Sequence, residues 1–351
     1  MLRSRMSGYL RCALRTGAAI AALLPLANAT AAEVIDGKGE ITQVQFRRAV
    51  REDEPDEWMY RGIETLEAGN SSGATRRKAI SELPLDRLGP ESRTKAETVL
   101  KDVGLFRRLP TLKFDVDPDV YRYFLDHPDV AVGTWRAMDI SKFQLNEVGP
   151  GVYQADAGDG SAGNVEVFYR TPNDTLIYCD GAFKSPLLAR PIVARALMRV
   201  RTDFRQDKDG RITATEAGDV FVQFPSSTIE TVARLISPVS HSIADRNFRQ
   251  ITLFIYMMSQ ATAKQPGWVE TIGNRLDNVT EAERLEFLEM AARAYINARK
   301  REVAVSHPDR EFSADDVLAP LRQPAGSAQP PAVIRAASGE LPTARPATQK
   351  R

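Results

Sequence analysis

Apolar residues recur at Ile229, Val232, Ile236, Val239, Ile243, Phe248, Ile251, Phe254 and Met258. That spacing is close to the helical period and predicts one long amphipathic helix from Ser227 to about Thr262. Ser227-Thr228-Ile229-Glu230 has the form of a capping box, and Pro238 in mid-run predicts a kink. Upstream, the pattern changes to alternation. Strand-like runs are read at 105–117, 142–148, 151–155, 164–170, 175–184, 195–205 and 212–224. Asp207-Lys208-Asp209-Gly210 joins the last two as a hairpin turn. Between the first two runs, Asp117-Pro118 opens a helix, and His127-Pro128 divides the helical stretch in two.

The alternation also assigns faces. Ala196, Met198, Val200, Thr202 and Phe204 point one way, and Arg195, Arg199, Arg201 and Arg205 the other. With the arginines outward, Met198, Val200 and Phe204 face the long helix, together with Val165, Val167, Tyr169, Ile177, Cys179, Phe183, Val220, Val222 and Phe224. Outward Glu166 and Asp180 are expected to pair with Arg199 and Arg201 across the sheet. The small residues Cys179, Gly181 and Ala196 leave room for a cavity or complete a solid core. A cavity would be lined by Tyr169, Cys179, Phe183, Met198, Val200, Phe204, Val222 and Ile236. Leu187 and Leu188, in a segment that Pro186 and Pro191 bar from regular pairing, either fold back on the body or form a lid. Lys184, Arg190 and Arg195 around such a lid would favour anionic head groups and peripheral membrane contact.

Strand, two short helices, a series of antiparallel strands and a long C-terminal helix, in that order, resemble the START-like (SRPBCC) helix-grip superfamily. The segment Asp117-Pro118-Asp119-Val120-Tyr121, Leu125-Asp126-His127-Pro128 and Trp135 looks like that superfamily's helix pair. The resemblance covers roughly residues 105–262 and extends to uncharacterised exported bacterial proteins. It implies an α+β fold in which a curved antiparallel sheet grips the long helix and an apolar ligand sits between them. It carries over no catalytic residue.

Around this core the chain divides into a signal peptide (1–31), a helical arm or linker (32–104), the α+β domain (105–262), a C-terminal helical extension (263–304) and a disordered tail (305–351). The arm is interrupted by Gly69-Asn70-Ser71-Ser72-Gly73, read as a flexible link. In the extension, Thr280-Glu281-Ala282-Glu283 caps a helix to about Val303 with the stripe Leu285, Leu288, Ala292, Tyr295 and Ile296. From Ala319 on, Pro, Ala, Gln and Arg dominate without period. At the other end, Arg3, Arg5, Arg11 and Arg15, the apolar run Gly17–Leu26 and the Ala-x-Ala patterns at 27–31 read as a Sec-type signal, which points to the periplasm or secretion.

Charge adds little, since 47 basic residues face 46 acidic ones and nothing global favours nucleic acid. Chemistry is sparse. Cys179 is the one cysteine beyond the signal segment, so no intramolecular disulfide forms there, and it reads as a small buried hydrophobe. Asp207, Asp209, Gly210, Ile212 and Glu216 match part of a calcium loop, but Arg205 occupies the first ligand position and the flanks are strands, so the hairpin reading wins. His241 and Asp245, four apart on the long helix, could act as base and orienter but have no third partner in the sequence. The sequence therefore predicts no catalytic residue, no metal and no cofactor. It predicts an exported binder of an apolar or amphipathic small molecule, with a ligand-free envelope interaction protein as the alternative. It favours neither enzyme activity nor any particular oligomeric state.

Overall fold

The computed structural model describes residues 60–158, 160–183, 192–208, 210–225, 238–277 and 279–321. The segment read as a signal, Leu187 and Leu188 of the expected lid, Ile236, the expected Ser227 capping box and the side chain of Phe183 lie outside the described residues.

The fold is α+β, built on a nine-stranded antiparallel sheet in the order β1-β3-β9-β8-β7-β6-β5-β4, with β2 also pairing β9. The chain begins with β1 (Ile63–Glu67), α1 (Gly73–Ser81), a 3-10 turn (Leu85–Arg87) and α2 (Pro90–Lys101). Next come β2 (Leu105–Arg108) and β3 (Thr111–Asp115), one predicted strand broken in two. Both pair β9, on either side of Leu109-Pro110, where proline has no amide to donate. Asp117 caps α3 (Pro118–Asp126) by accepting from the Asp119 amide, and α4 (Pro128–Ala137) restarts at the next proline.

Then β4 (Gln144–Gly149), β5 (Val152–Asp156), β6 (Ala162–Thr171), β7 (Asp174–Phe183), β8 (Ile192–Gln206) and β9 (Ile212–Gln223) run as a meander. The β8–β9 connection is the expected hairpin: Asp207 and Arg211 close it, and Gly210 takes φ 74°. The long helix α5 is described over Pro238–Lys264. It is followed by α6 (Pro266–Gly273), α7 (Glu281–Ser306) and α8 (Ala314–Leu321).

Both faces of the sheet are covered. On one face, Ala194, Ala196, Met198, Val200, Val220 and Val222 form a single core with α3 to α7. On the other, Leu176, Tyr178, Leu197, Phe221 and Phe106 pack against Ala79, Leu83, Leu88, Ala96 and Val99 of α1, α2 and the turns between them. The stretch read as an arm thus supplies an edge strand and the second layer. The arginines of β8 lie beneath this layer. Arg199 pairs with Asp174 at 2.7 Å, Arg201 with Asp219 at 3.1 Å, and Arg195 with Asp180 at 3.3 Å, while Glu166 is held by Lys95. The partners differ from those expected because Asp180 stands opposite Arg195 in the β7–β8 register, while Arg199 and Arg201 reach the diagonal acids Asp174 on β7 and Asp219 on β9.

In α7 the capping box Thr280/Glu283 is present. The buried stripe, however, is Phe287, Met290, Ala291, Ala294 and Tyr295, and Leu285 and Ala292 are exposed. The first part of the predicted tail is ordered instead as α8. Asp316 accepts from the Ser313 amide, and Tyr295 and Arg299 donate to the carbonyls of Val317 and Asp316. Among the described residues no helix is long and apolar enough to cross a membrane.

Candidate functional site

The face of the sheet toward α5 carries a carboxyl group in its core. Glu216 sits on β9 opposite Thr202 of β8 and Leu112 of β3, at 3% exposure. Tyr121 of α3 donates to Glu216 Oε1 at 3.0 Å, and the Thr252 hydroxyl of α5 lies 2.9 Å from Oε2. Tyr121 is also 2.5 Å from the Thr202 hydroxyl, so a line of donors runs Thr202, Tyr121, Glu216. Burial outweighs the two donated bonds and raises the Glu216 carboxyl to about 7. Burial, with Glu216 beside it, also pushes the Tyr121 phenol well up, so it remains a donor at neutral pH.

Thr252 has a second acceptor, the Phe248 carbonyl at 3.0 Å. A hydroxyl donates one proton at a time. When Glu216 is ionised, Thr252 donates to it. When Glu216 is protonated, its O–H can donate to Thr252, whose own proton turns to Phe248. The network therefore holds either charge state without leaving a buried donor idle.

Other polar atoms in this layer are not satisfied. Thr175 Oγ1 on β7, Trp135 Nε1 on α4 and Gln250 Oε1 on α5 are buried and have no hydrogen-bond partner among the described residues. Trp135 meets Phe254 edge-on with ring centroids 5.4 Å apart, and Gln250 lies one turn before Phe254 on the same helix face. Each orphaned group costs about 1–3 kcal/mol unless something pairs with it.

Of the residues assigned to the cavity wall, Cys179, Met198, Val200 and Val222 lie in the core beneath α5, with Phe204 packed against it. Burial pushes the Cys179 thiol far up, which suits an inert hydrophobe. Tyr169 is not with them. A bulge between Val167 and Tyr169 shifts the strand by one residue and turns that ring to the other face, where Arg87 donates to its hydroxyl at 3.0 Å. Gly163 and Gly181 stand opposite each other on the inner face. A Cβ on Gly181 would fall 2.5 Å from the Ala162 carbonyl oxygen, so close backbone approach demands glycine there.

A second polar cluster lies at the edge of the fold. The loop read as a flexible link is tied down: Asn70 bridges Arg108, Ser72 caps α1, and Ser71 Oγ lies 3.4 Å from His241 Nε2. Arg107 donates to Ser71 Oγ at 3.3 Å and clasps the carboxylate of Asp245. Asp245 is thus engaged by Arg107, while Ser71, 170 residues away in sequence, is the third partner that His241 lacked.

For metals, the single group of suitable side chains among the described residues is Asp129, Glu147 and Glu283, with ligand atoms within 4.8 Å of one another. Glu283 already serves the capping box, and Glu147 accepts from the Gly151 amide, so each has a structural duty. In comparisons with known proteins, no family model matches the chain and no curated protein matches it in sequence.

Proposed function

We propose that the chain is an exported binding protein of helix-grip type that holds an apolar or amphipathic small molecule between the sheet and α5. The observation that carries this reading is a set of buried polar atoms, Thr175 Oγ1 on β7, Trp135 Nε1 on α4 and Gln250 Oε1 on α5, that have no hydrogen-bond partner among the described residues. A few convergent polar groups within apolar walls are the usual composition of a small-molecule site. A ligand with an apolar body and a polar end offering a donor or an acceptor would find partners among them. Export rests on the N-terminal segment, whose basic, apolar and small-residue regions follow one another in signal order.

The reading is tested by fluorescence of a chain in which Trp58 and Trp268 are replaced by Phe, leaving Trp135 as the reporter. Titration with medium-chain fatty acids, fatty alcohols and alkyl amines is expected to give a saturable change in Trp135 emission with one of these classes. Gln250→Leu should weaken that class by about tenfold, equal to the roughly 1.4 kcal/mol of one hydrogen bond. Emission unchanged by all three classes would count against the proposal.

A further inference from the structure

The Ser71 cluster does not belong to the layer under α5 and carries chemistry of its own. Ser71, Arg107, His241 and Asp245 are all half-buried, so a small molecule can reach them. Ser71 Oγ accepts from Arg107 Nη1 at 3.3 Å, which leaves its own proton directed to His241 Nε2 at 3.4 Å in the tautomer protonated on Nδ1. Asp245 holds Arg107 by two nitrogens, Nε at 2.9 Å and Nη2. The loop is fitted to this clamp, since a Cβ on Gly69 would fall 2.4 Å from Arg107 Nη2 and 2.8 Å from Asp245 Oδ1.

We propose that Ser71 is a nucleophile for acyl transfer with His241 as its general base, and that this surface hydrolyses small esters. A serine oxygen flanked by a neutral imidazole acceptor and a fixed guanidinium has a base for its proton and a cation that favours the loss of that proton as the oxygen attacks. Burial, and Arg107 beside it, lower the imidazole's proton affinity, which keeps His241 able to accept at neutral pH, with Asp245 acting in the opposite sense.

In the first step Ser71 Oγ bonds to the acyl carbon as its proton passes to His241 Nε2, and the carbonyl electron pair moves to oxygen. Collapse breaks the bond to the alkoxide, which leaves with the proton from His241. Water, deprotonated by the same nitrogen, then adds to the acyl-serine and releases the carboxylic acid and the free Ser71 hydroxyl. Arg107 stabilises negative charge beside Oγ. The first-turn amides of α1, which no intrahelical carbonyl accepts, begin two residues further along. Asp245 is a positioning residue, acting through Arg107.

The test uses the full mature chain. An alkyl fluorophosphonate followed by peptide mapping is expected to place the adduct on Ser71, within peptide 62–76 between Arg61 and Arg76. Hydrolysis of p-nitrophenyl acetate should fall roughly a hundredfold in both Ser71→Ala and His241→Gln. Asp245→Asn should lower kcat with KM kept, and Asp245→Glu should restore it. An unlabelled Ser71, a label on Ser72 instead, or ester hydrolysis as fast in a folded Ser71→Ala variant would overturn the proposal. Mapping needs only the wild-type chain, so a variant that fails to fold does not protect the idea. Amphiphile binding at Trp135 is read independently of either result.

Discussion

At Glu216, burial works against ionisation, and the consequence for stability has a definite sign. The folded carboxyl titrates at about 7 against an ordinary 4.5. Below pH ~4.5 the group is neutral whether the chain is folded or unfolded, and its burial costs little. As pH rises from there, the unfolded chain ionises first and stability falls, by up to about 3 kcal/mol once pH exceeds 7. Wild type is therefore expected to lose melting temperature between about pH 5 and pH 8 relative to Glu216→Gln; parallel curves would show that Glu216 is ionised throughout. Asp219 is the opposite case. It is 1% exposed and receives Arg108 at 2.7 Å and Arg201 at 3.1 Å. Asp219→Ala leaves two guanidiniums beneath α1 and α2 without their shared anion, and should cost about 3–5 kcal/mol in denaturant unfolding. A loss under 1 kcal/mol would mean that Glu82, which also meets Arg108 and Arg201, suffices alone.

Among the elements, the tight β6–β7 ladder gives the sharpest contrast. Gly181→Ala puts a methyl against the Ala162 carbonyl and should cost about 1–3 kcal/mol. Gly149→Ala meets nothing within 4 Å and should stay within about 0.5 kcal/mol. Equal losses at both positions would refute close approach as the reason for Gly181. Helices α1 and α2 supply the second test. Leu197, fully buried beneath them, should cost about 2–5 kcal/mol when cut to Ala, as expected for a layer of the core and not for a loose arm.

Much of this scale was readable in advance, because period-2 strands, Asp-Pro caps, the His127-Pro128 break, the Asp-Gly turn and the Thr280 capping box are local signals. What was not readable depends on long-range geometry. The bulge that turns Tyr169 away leaves no mark in a run of alternating residues. Only the sheet's second apolar set, Leu176, Tyr178, Leu197 and Phe221, shows that the arginine face must be covered. The inward, buried placement of Cys179, Met198, Val200 and Val222 followed from alternation. The Glu216 network and the Ser71–His241 contact join residues 36 to 170 positions apart, and no spacing rule reaches them. Glu216 did leave one hint, a lone acid among the inward positions of β9.

For the whole molecule, the sheet is closed in on both faces, with orphaned polar atoms and a protonatable carboxyl under α5 and a serine–histidine pair at the edge. Thr175, Trp135 and Gln250 carry buried polar atoms with no partner among the described residues, a cost that apolar residues of similar size would not have. The central claim is that a small molecule occupies this layer. Native mass spectrometry of the full chain, purified without detergent, tests that claim most directly. The account predicts an adduct of a few hundred daltons at one per chain, lost on organic extraction and recovered in the extract as an apolar or amphipathic compound. A chain at its bare sequence mass, with nothing in the extract and no adduct after incubation with that extract, would contradict it.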